Sequence, residues 1–143
     1  MLISRQALDI ISTSVADTPP EIGGIMGSLD GRTVTEIIMD EPEGQRYNCY
    51  YAPNVRFLNN CISNWQQSEV EFMGVFHTHY AGVKTLSSAD VKYITSIMNA
   101  MPEEIKSLYF PVFVLPQREM ICYKAIKELS NVSIESEKIE ILE

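Results

Sequence analysis

The 143-residue chain contains few cysteines: Cys49, Cys61 and Cys122, widely spaced and without a C-x-x-C pair. An odd number at such spacing argues against a disulfide framework and indicates a reducing compartment. Cys61 shares an apolar helical face with Leu58 and Trp65, and Cys122 falls in a predicted strand. We therefore expect both of these cysteines to lie in the core.

Basic residues and long apolar runs are also scarce. The chain has 11 Lys and Arg against 19 Asp and Glu, which gives a net charge of −8. An acidic surface repels phosphate backbones, so no nucleic acid is expected, and it would suit a partner with a basic face or tail. No apolar run approaches the roughly 20 residues of a membrane span, and Arg5, Gln6 and Asp9 interrupt what would be a signal peptide. We expect a soluble, cytoplasmic protein with no membrane partner.

The glycines at residues 23–27 match neither phosphate-loop pattern, since G-x-x-x-x-G-K-[ST] and G-x-G-x-x-G are both absent. They indicate close backbone approach, either for packing or for a substrate chain that lies alongside. The sequence also lacks repeats, low-complexity segments and linkers. A hydrophobic content of 45% is typical of a globular protein, so residues 1–143 are expected to form a single domain.

Hydrophobic periodicity predicts an alternation of helices and strands. Helices are predicted over residues 3–15, over 54–67, and over a segment that carries Asp90 in its first turn and ends near 101. Strands are predicted over residues 22–29, 33–39, 46–52, 70–76, 108–115 and 118–126, with a further strand or hairpin within 132–141. Together they predict an α/β fold with a mixed, curved sheet flanked by about three helices.

The two histidines of the chain, His77 and His79, follow the β-branched and aromatic run 70–76. Side chains two apart on a strand share a face, so both imidazoles lie side by side while Thr78 points away. Such a pair can begin a metal site, because a catalytic zinc takes three protein ligands and a water. Asp90 can supply the third ligand. Cys49 is a further candidate ligand.

Each of these residues also has a purely structural explanation. His77 and His79 alone are compatible with two half-buried strand histidines, and Glu21, which follows two prolines, is typical of a solvent-facing residue. Ser87 and Asp90 form a capping box, in which Ser87 caps the helix and Asp90 bonds back to it. The cap and the metal ligand are compatible, since capping can hold Asp90 in position. What favours the metal site over these separate explanations is the resemblance described next, which all five residues match together.

The chain contains His77-x-His79, then seven residues, then Ser87-x-x-Asp90. This pattern resembles the JAMM signature of the MPN+ (JAB domain) zinc metalloproteases, and the short chain resembles the minimal prokaryotic type of that family. The upstream glutamate that accompanies this signature before a glycine-rich strand is matched by Glu21. The resemblance implies the MPN/JAB fold, which is cytidine-deaminase-like. It also implies a Zn²⁺ ion held by His77, His79 and Asp90, with Glu21 as general base and Ser87 as oxyanion donor.

The motif loop departs from that family at Tyr80, Val83 and Leu86, where members commonly have proline. The metal ligands are unaffected, while the rigidity of the loop and the shape of the groove beside it are expected to differ. The chain also lacks room for the long insertions with which deubiquitinating relatives grip ubiquitin. The preference of those relatives for particular ubiquitin–ubiquitin linkages is therefore not expected of this chain.

The function that the resemblance implies is a zinc-dependent peptidase or isopeptidase. It would cut an amide bond at the C-terminal tail of a ubiquitin-like protein or its conjugate, and the glycine strand would accept that tail as an added edge strand. A non-catalytic MPN scaffold and a zinc amidase for small amides stay open. A cysteine–histidine nucleophile would need His77 or His79 as base, and no cysteine is near them in sequence. The sequence does not specify which protein tail is cut, whether the bond is a linear peptide or an isopeptide bond, which metal is native or what the oligomeric state is.

Overall fold

The computed structural model describes residues 1–41 and 50–143, in which three helices are separated by single strands or runs of strands. The described helices are α1 (Arg5–Ser14), α2 (Val55–Gln67) and α3 (Ser88–Ala100). The described strands are β1 (Leu2–Ser4), β2 (Gly23–Ser28), β3 (Thr33–Val34), β4 (Glu36–Met39), β5 (Glu71–His79), β6 (Ser107–Val114), β7 (Glu119–Glu128), β8 (Asn131–Glu137) and β9 (Glu140–Leu142).

Within the described ranges, the larger sheet is mixed and has six strands in the order β4-β2-β5-β6-β7-β8. Strands β5 and β6 pair in parallel, and the other neighbours pair antiparallel. A smaller sheet has the order β3-β1-β9, with parallel pairs. A mixed sheet with three helices is the α/β architecture that the sequence predicts.

The central strands are covered on both faces. Met26 and Phe76 pack with α1 in one cluster of buried residues. Their chain neighbours Ile25 and Val75 belong to the second cluster, which contains the buried residues of α2 and α3. Because side chains alternate along a strand, His77 points to the same face as Val75, toward α2 and α3. The fold therefore turns the histidine pair toward the helix that carries Asp90.

Three predicted elements differ in the structure. Ile3 lies in β1 and not in the first helix, because the Ser4 side chain accepts the Ala7 N–H and starts α1 at Arg5. The predicted strand 33–39 divides at Thr35, since β3 pairs with β1 in the small sheet while β4 pairs with β2.

The third difference concerns the end of the chain, where β8 extends the large sheet and β9 joins β1. The two strands therefore do not form a hairpin with each other. The predicted strand over 46–52 falls mostly outside the described residues, and residues 50–52 are not in a strand. No helix in the described ranges is long and apolar enough to cross a membrane.

Gly74 lets β5 approach β6 closely. Its φ of +150° is a conformation that L side chains rarely adopt, and an added Cβ would lie 1.8 Å from the Tyr109 carbonyl oxygen. The Gly74→Ala variant should lose about 2–5 kcal/mol of unfolding free energy, because the clash is with backbone and the neighbouring strand must shift. Urea unfolding measures this loss.

Gly82→Ala is the matched control. Gly82 also has a positive φ, +70°, but the nearest atoms to an added Cβ belong to the flexible Gln117 side chain at 3.2 Å. The control should cost about 1 kcal/mol, the conformational penalty alone. Equal losses in the two variants would contradict the packing explanation for Gly74.

Candidate metal centre

His77 and His79 lie at the carboxyl end of β5, with 0% and 4% of their surfaces exposed. Their Nε2 atoms are 2.9 Å apart, so the predicted side-by-side arrangement is confirmed. Thr78 points to the opposite face, where its hydroxyl accepts the Ile22 N–H at 3.0 Å. The strand thus presents two imidazoles to one point and uses the intervening side chain to hold the neighbouring segment.

Asp90 is held in place by the start of α3. The Asp90 N–H donates to Ser87 Oγ at 3.0 Å, and the Ser87 N–H donates to Asp90 Oδ2 at 2.9 Å, which confirms the predicted capping box. The same carboxylate lies 3.0 Å from His79 Nε2 through Oδ2 and 3.3 Å from His77 Nε2 through Oδ1. The cap therefore aims the carboxylate at both imidazoles.

Glu21 comes from a distant part of the sequence and is tied to the end of β5. The Tyr80 hydroxyl donates to the Pro20 carbonyl at 2.8 Å, and the Thr78 N–H donates to the Ile22 carbonyl at 2.8 Å. Glu21 is only partly exposed. One donor atom each from Glu21, His77, His79 and Asp90 lies within 4.8 Å of the others.

The donor set fits a small divalent cation. Around tetrahedral zinc, with bonds of about 2.0–2.1 Å, ligand atoms lie about 3.3 Å apart, close to the 2.9–3.3 Å between the imidazole nitrogens and the carboxylate oxygens. Asp90 Oδ1 and Glu21 Oε1 are buried without a hydrogen-bond partner among the described residues. Burying such oxygens unpaired is costly, and a bound cation would satisfy them. The geometry is consistent with a metal, and either zinc or another divalent ion fits it.

The other ring nitrogens are also occupied. His79 Nδ1 lies 3.0 Å from the Val83 carbonyl oxygen, which can only accept, so this nitrogen carries a proton. In the neutral ring that binds a metal, the lone pair is then on Nε2. His77 Nδ1 lies 2.8 Å from the Tyr93 hydroxyl. The ring of Tyr51 stacks on His77 at 5.9 Å between centroids, with an interplanar angle of 11°. Both imidazoles are therefore fixed in orientation.

Burial and mutual contact set the charges of the cluster. Burial raises the pKa of Glu21 to about 7, opposed by His79 and reinforced by Asp90. Burial opposes ionisation of Asp90 as well, but its contacts with His77 and His79 hold its pKa well below the usual range. Burial lowers the pKa of His77. Asp90 is thus a carboxylate and His77 a neutral imidazole, the forms that bind a metal.

No protein-family model and no curated protein matches the sequence. Solved structures do match: protein DSY2949 from Desulfitobacterium hafniense has a TM-score of 0.68 and 19% identity, over 100% of this chain and 94% of that one. AF2198, a JAB1/MPN domain protein from Archaeoglobus fulgidus, has a TM-score of 0.58 and 17% identity, with both chains covered completely. A structure of JAMM, a metalloprotease-like zinc site in the proteasome and signalosome, has a TM-score of 0.55 and 18% identity, over 100% and 98% of the chains. This chain has the JAB1/MPN fold. At these identities the likeness establishes the fold and not the activity.

Within this JAB1/MPN fold, the glycine strand is not a docking edge. Strand β2 pairs with β4 on one side and β5 on the other, so the expectation that it accepts a substrate tail is wrong. An added Cβ on Gly23 would lie 2.4 Å from the Phe76 carbonyl oxygen and 2.7 Å from the Tyr51 ring. The glycines therefore serve packing within the chain itself.

Sequence reasoning missed the two tyrosines that contact His77. Tyr93 follows Asp90 by three residues on α3, and residues so spaced are neighbours on one helix face. That spacing could have indicated Tyr93, whereas nothing local indicates Tyr51, which belongs to a segment predicted as a strand. Cys49, considered as a further ligand, lies outside the described residues.

The raised pKa of Glu21 predicts a pH dependence of stability in metal-free protein. A carboxyl whose pKa rises from 4.5 to about 7 on folding contributes stability below about pH 4.5 that is lost as the pH rises through about 7. Metal-free wild type should therefore lose more thermal stability across this range than Glu21→Gln, which cannot ionise.

Thermal unfolding with a chelator present, at several pH values, measures the difference. Glu103→Gln is the control, since Glu103 is highly exposed and its pair with Lys106 spans 3.9 Å. Its melting temperature should follow the wild-type pH curve. Parallel curves for wild type and Glu21→Gln would contradict the assignment.

Proposed function

We propose that this protein is a zinc-dependent metallohydrolase that cleaves an amide bond as a peptidase or isopeptidase. The observation that carries the proposal is the convergence of Glu21, His77, His79 and Asp90, with two buried carboxylate oxygens left without partners among the described residues. The likeness to the JAMM structure supports the reaction class, because that site is metalloprotease-like.

The ion would be held by Nε2 of His77, Nε2 of His79 and the carboxylate of Asp90. When bound, it would acidify a water and polarise the scissile carbonyl. One carboxylate among three ligands leaves a divalent ion with a net positive charge, as that chemistry requires. The residues of the chain itself then have to move protons and stabilise the charge that develops on the substrate.

Glu21 is suited to the proton transfers. Its Oε1 is buried, lacks a hydrogen-bond partner among the described residues, and belongs to the same 4.8 Å cluster as the ligands. A carboxylate beside the reacting water can take its proton and deliver it to the leaving nitrogen. The hydrogen bond from Tyr80 to the Pro20 carbonyl fixes the backbone immediately before Glu21.

Ser87 is suited to stabilising the oxyanion. Its Oγ accepts the Asp90 N–H, which leaves the hydroxyl proton free to be donated. Within the described residues, that proton is donated to no acceptor. A donor that is already fixed by the helix cap needs little reorganisation when charge develops on the substrate oxygen. Ser87 thus combines a structural contact with a proposed chemical one.

The proposed substrate is the flexible C-terminal tail of a ubiquitin-like protein or its conjugate. The motif resemblance supports this class, and the exposed apolar side chains of Val83 and Val91 support an extended chain near the site. They are 47% and 41% exposed, in the motif loop and the first turn of α3. These two valines lie before and after Ser87 along the chain, and apolar side chains there suit the binding of a peptide tail more than the binding of a small polar amide.

The protein should carry close to one zinc per chain after purification with zinc, because three ligands and a nearby carboxylate are preassembled. Elemental analysis on protein of known concentration measures the ratio. His77→Ala should reduce the zinc content below about a tenth of the wild-type value. A wild-type content that low would contradict the metal site.

Glu21→Gln should retain zinc and lose at least about 100-fold in turnover, because a general base is removed while the three ligands stay. The assay follows cleavage of a reporter fused to the C-terminal tail of a ubiquitin-like protein, with zinc content measured in parallel. Glu103→Gln should cleave as fast as wild type. Wild-type turnover by Glu21→Gln would exclude Glu21 as the base, and a zinc-bound wild type that cleaves no tail would favour the non-catalytic scaffold.

A further inference from the structure

Tyr93 joins one proposed metal ligand to another. It lies on α3 three residues after Asp90, and its hydroxyl is 2.8 Å from Nδ1 of His77. The helix that delivers the carboxylate therefore also delivers a polar contact to the far side of the first imidazole. The motif that predicts the metal site does not include this residue.

The direction of the hydrogen bond decides whether His77 can bind a cation. A neutral imidazole has one N–H and one lone pair. If the Tyr93 hydroxyl donates to Nδ1, the proton of His77 sits on Nε2 and points at His79, 2.9 Å away. If Nδ1 carries the proton and donates to the Tyr93 oxygen, the Nε2 lone pair faces His79 and Asp90. Only the second arrangement permits coordination.

His79 shows the same arrangement with a partner that leaves no choice. Its Nδ1 faces the Val83 carbonyl oxygen, which can only accept, so Nδ1 carries a proton and the neutral ring directs its Nε2 lone pair at the cluster. Tyr93 is the corresponding partner for His77. Because a hydroxyl both donates and accepts, it can take the role that Val83 has by necessity.

Tyr93 is itself held by aromatic contacts. Its ring meets Tyr51 edge to face at 5.9 Å and Phe110 at 6.3 Å, while Tyr51 stacks on His77. Because these contacts already fix the Tyr93 ring, its hydroxyl stays beside Nδ1 of His77, and metal binding costs no further side-chain entropy at Tyr93. The contact is therefore built into the site before any ion arrives.

We propose that Tyr93 is a positioning residue of the metal centre: its hydroxyl oxygen accepts the Nδ1 proton of His77 and leaves Nε2 free to coordinate. This inference rests on the proposed function only in requiring that the cluster binds zinc. Outer partners of metal-bound histidines typically contribute about 10–100-fold to metal affinity.

The test measures the zinc dissociation constant of wild type and Tyr93→Phe by competition with a chromophoric chelator. Tyr93→Phe keeps the ring and its aromatic contacts, and should bind zinc about 10–100-fold more weakly. Tyr109→Phe is the matched control. It removes the same atom from a tyrosine on β6 whose hydroxyl makes no hydrogen bond among the described residues, and it should bind zinc like wild type.

Nitrogen-15 NMR of the imidazoles gives a second readout that a purely structural role would not change. In zinc-bound wild type, the Nδ1 proton of His77 should be protected from solvent exchange, and in Tyr93→Phe this protection should be lost while that of His79 persists. If Tyr93→Phe does not fold, the wild-type measurement decides, because rapid exchange of the His77 Nδ1 proton would overturn the inference.

The outcomes separate the two proposals. Equal zinc affinities in wild type and Tyr93→Phe overturn the role of Tyr93 and leave the hydrolase proposal intact. Weaker binding by Tyr93→Phe, in a wild type that cleaves no substrate, supports the role of Tyr93 and overturns the hydrolase proposal. A wild type that binds no zinc overturns both.

Discussion

The arrangement of the site depends on one buried carboxylate. Asp90 is 1% exposed and stays charged, so its oxygens have to find partners inside the protein. The Ser87 N–H donates to one of these oxygens, and the Nε2 atoms of the two imidazoles lie within 3.3 Å of the carboxylate, so the start of α3 and the end of β5 meet at this group. Neither element could shift by one residue without leaving this charge unpaired. The carboxylate thus fixes the register between helix and strand, and one of its oxygens is still without a hydrogen-bond partner in the described part of the chain.

The sheet provides the close approaches that this register needs. Gly74 allows β6 to lie tightly against β5, and Gly23 leaves room for the ring of Tyr51 over the end of the strand. Tyr51 then stacks on His77. Residues without side chains therefore determine where an imidazole ring points. The motif residues alone describe the donors, whereas the glycines and tyrosines around them determine whether those donors converge.

The sequence predicted the parts of the site that local rules control. The two-residue period of a strand places His77 and His79 on one face, and the spacing from Ser87 to Asp90 predicts the capping box at the start of α3. Glu21 was found through the family resemblance, because nothing in its own neighbourhood indicates burial. Contacts between distant segments are harder to predict. The division of residues 33–39 between two sheets is not visible in the sequence, since no glycine or proline marks the break at Thr35. The idea of β2 as an open edge failed for the same reason: a strand's neighbours depend on topology.

The oxygen of Ser87 accepts the Asp90 N–H at the start of α3, and in the proposed reaction its proton is directed to the substrate. Position 87 should therefore tolerate very few side chains. Alanine offers neither function, and aspartate could cap the helix but would bring a second negative charge beside Asp90. Threonine alone keeps an oxygen of the same kind together with a hydroxyl proton. A survey of natural variants that retain the site should thus find this position divided between two amino acids.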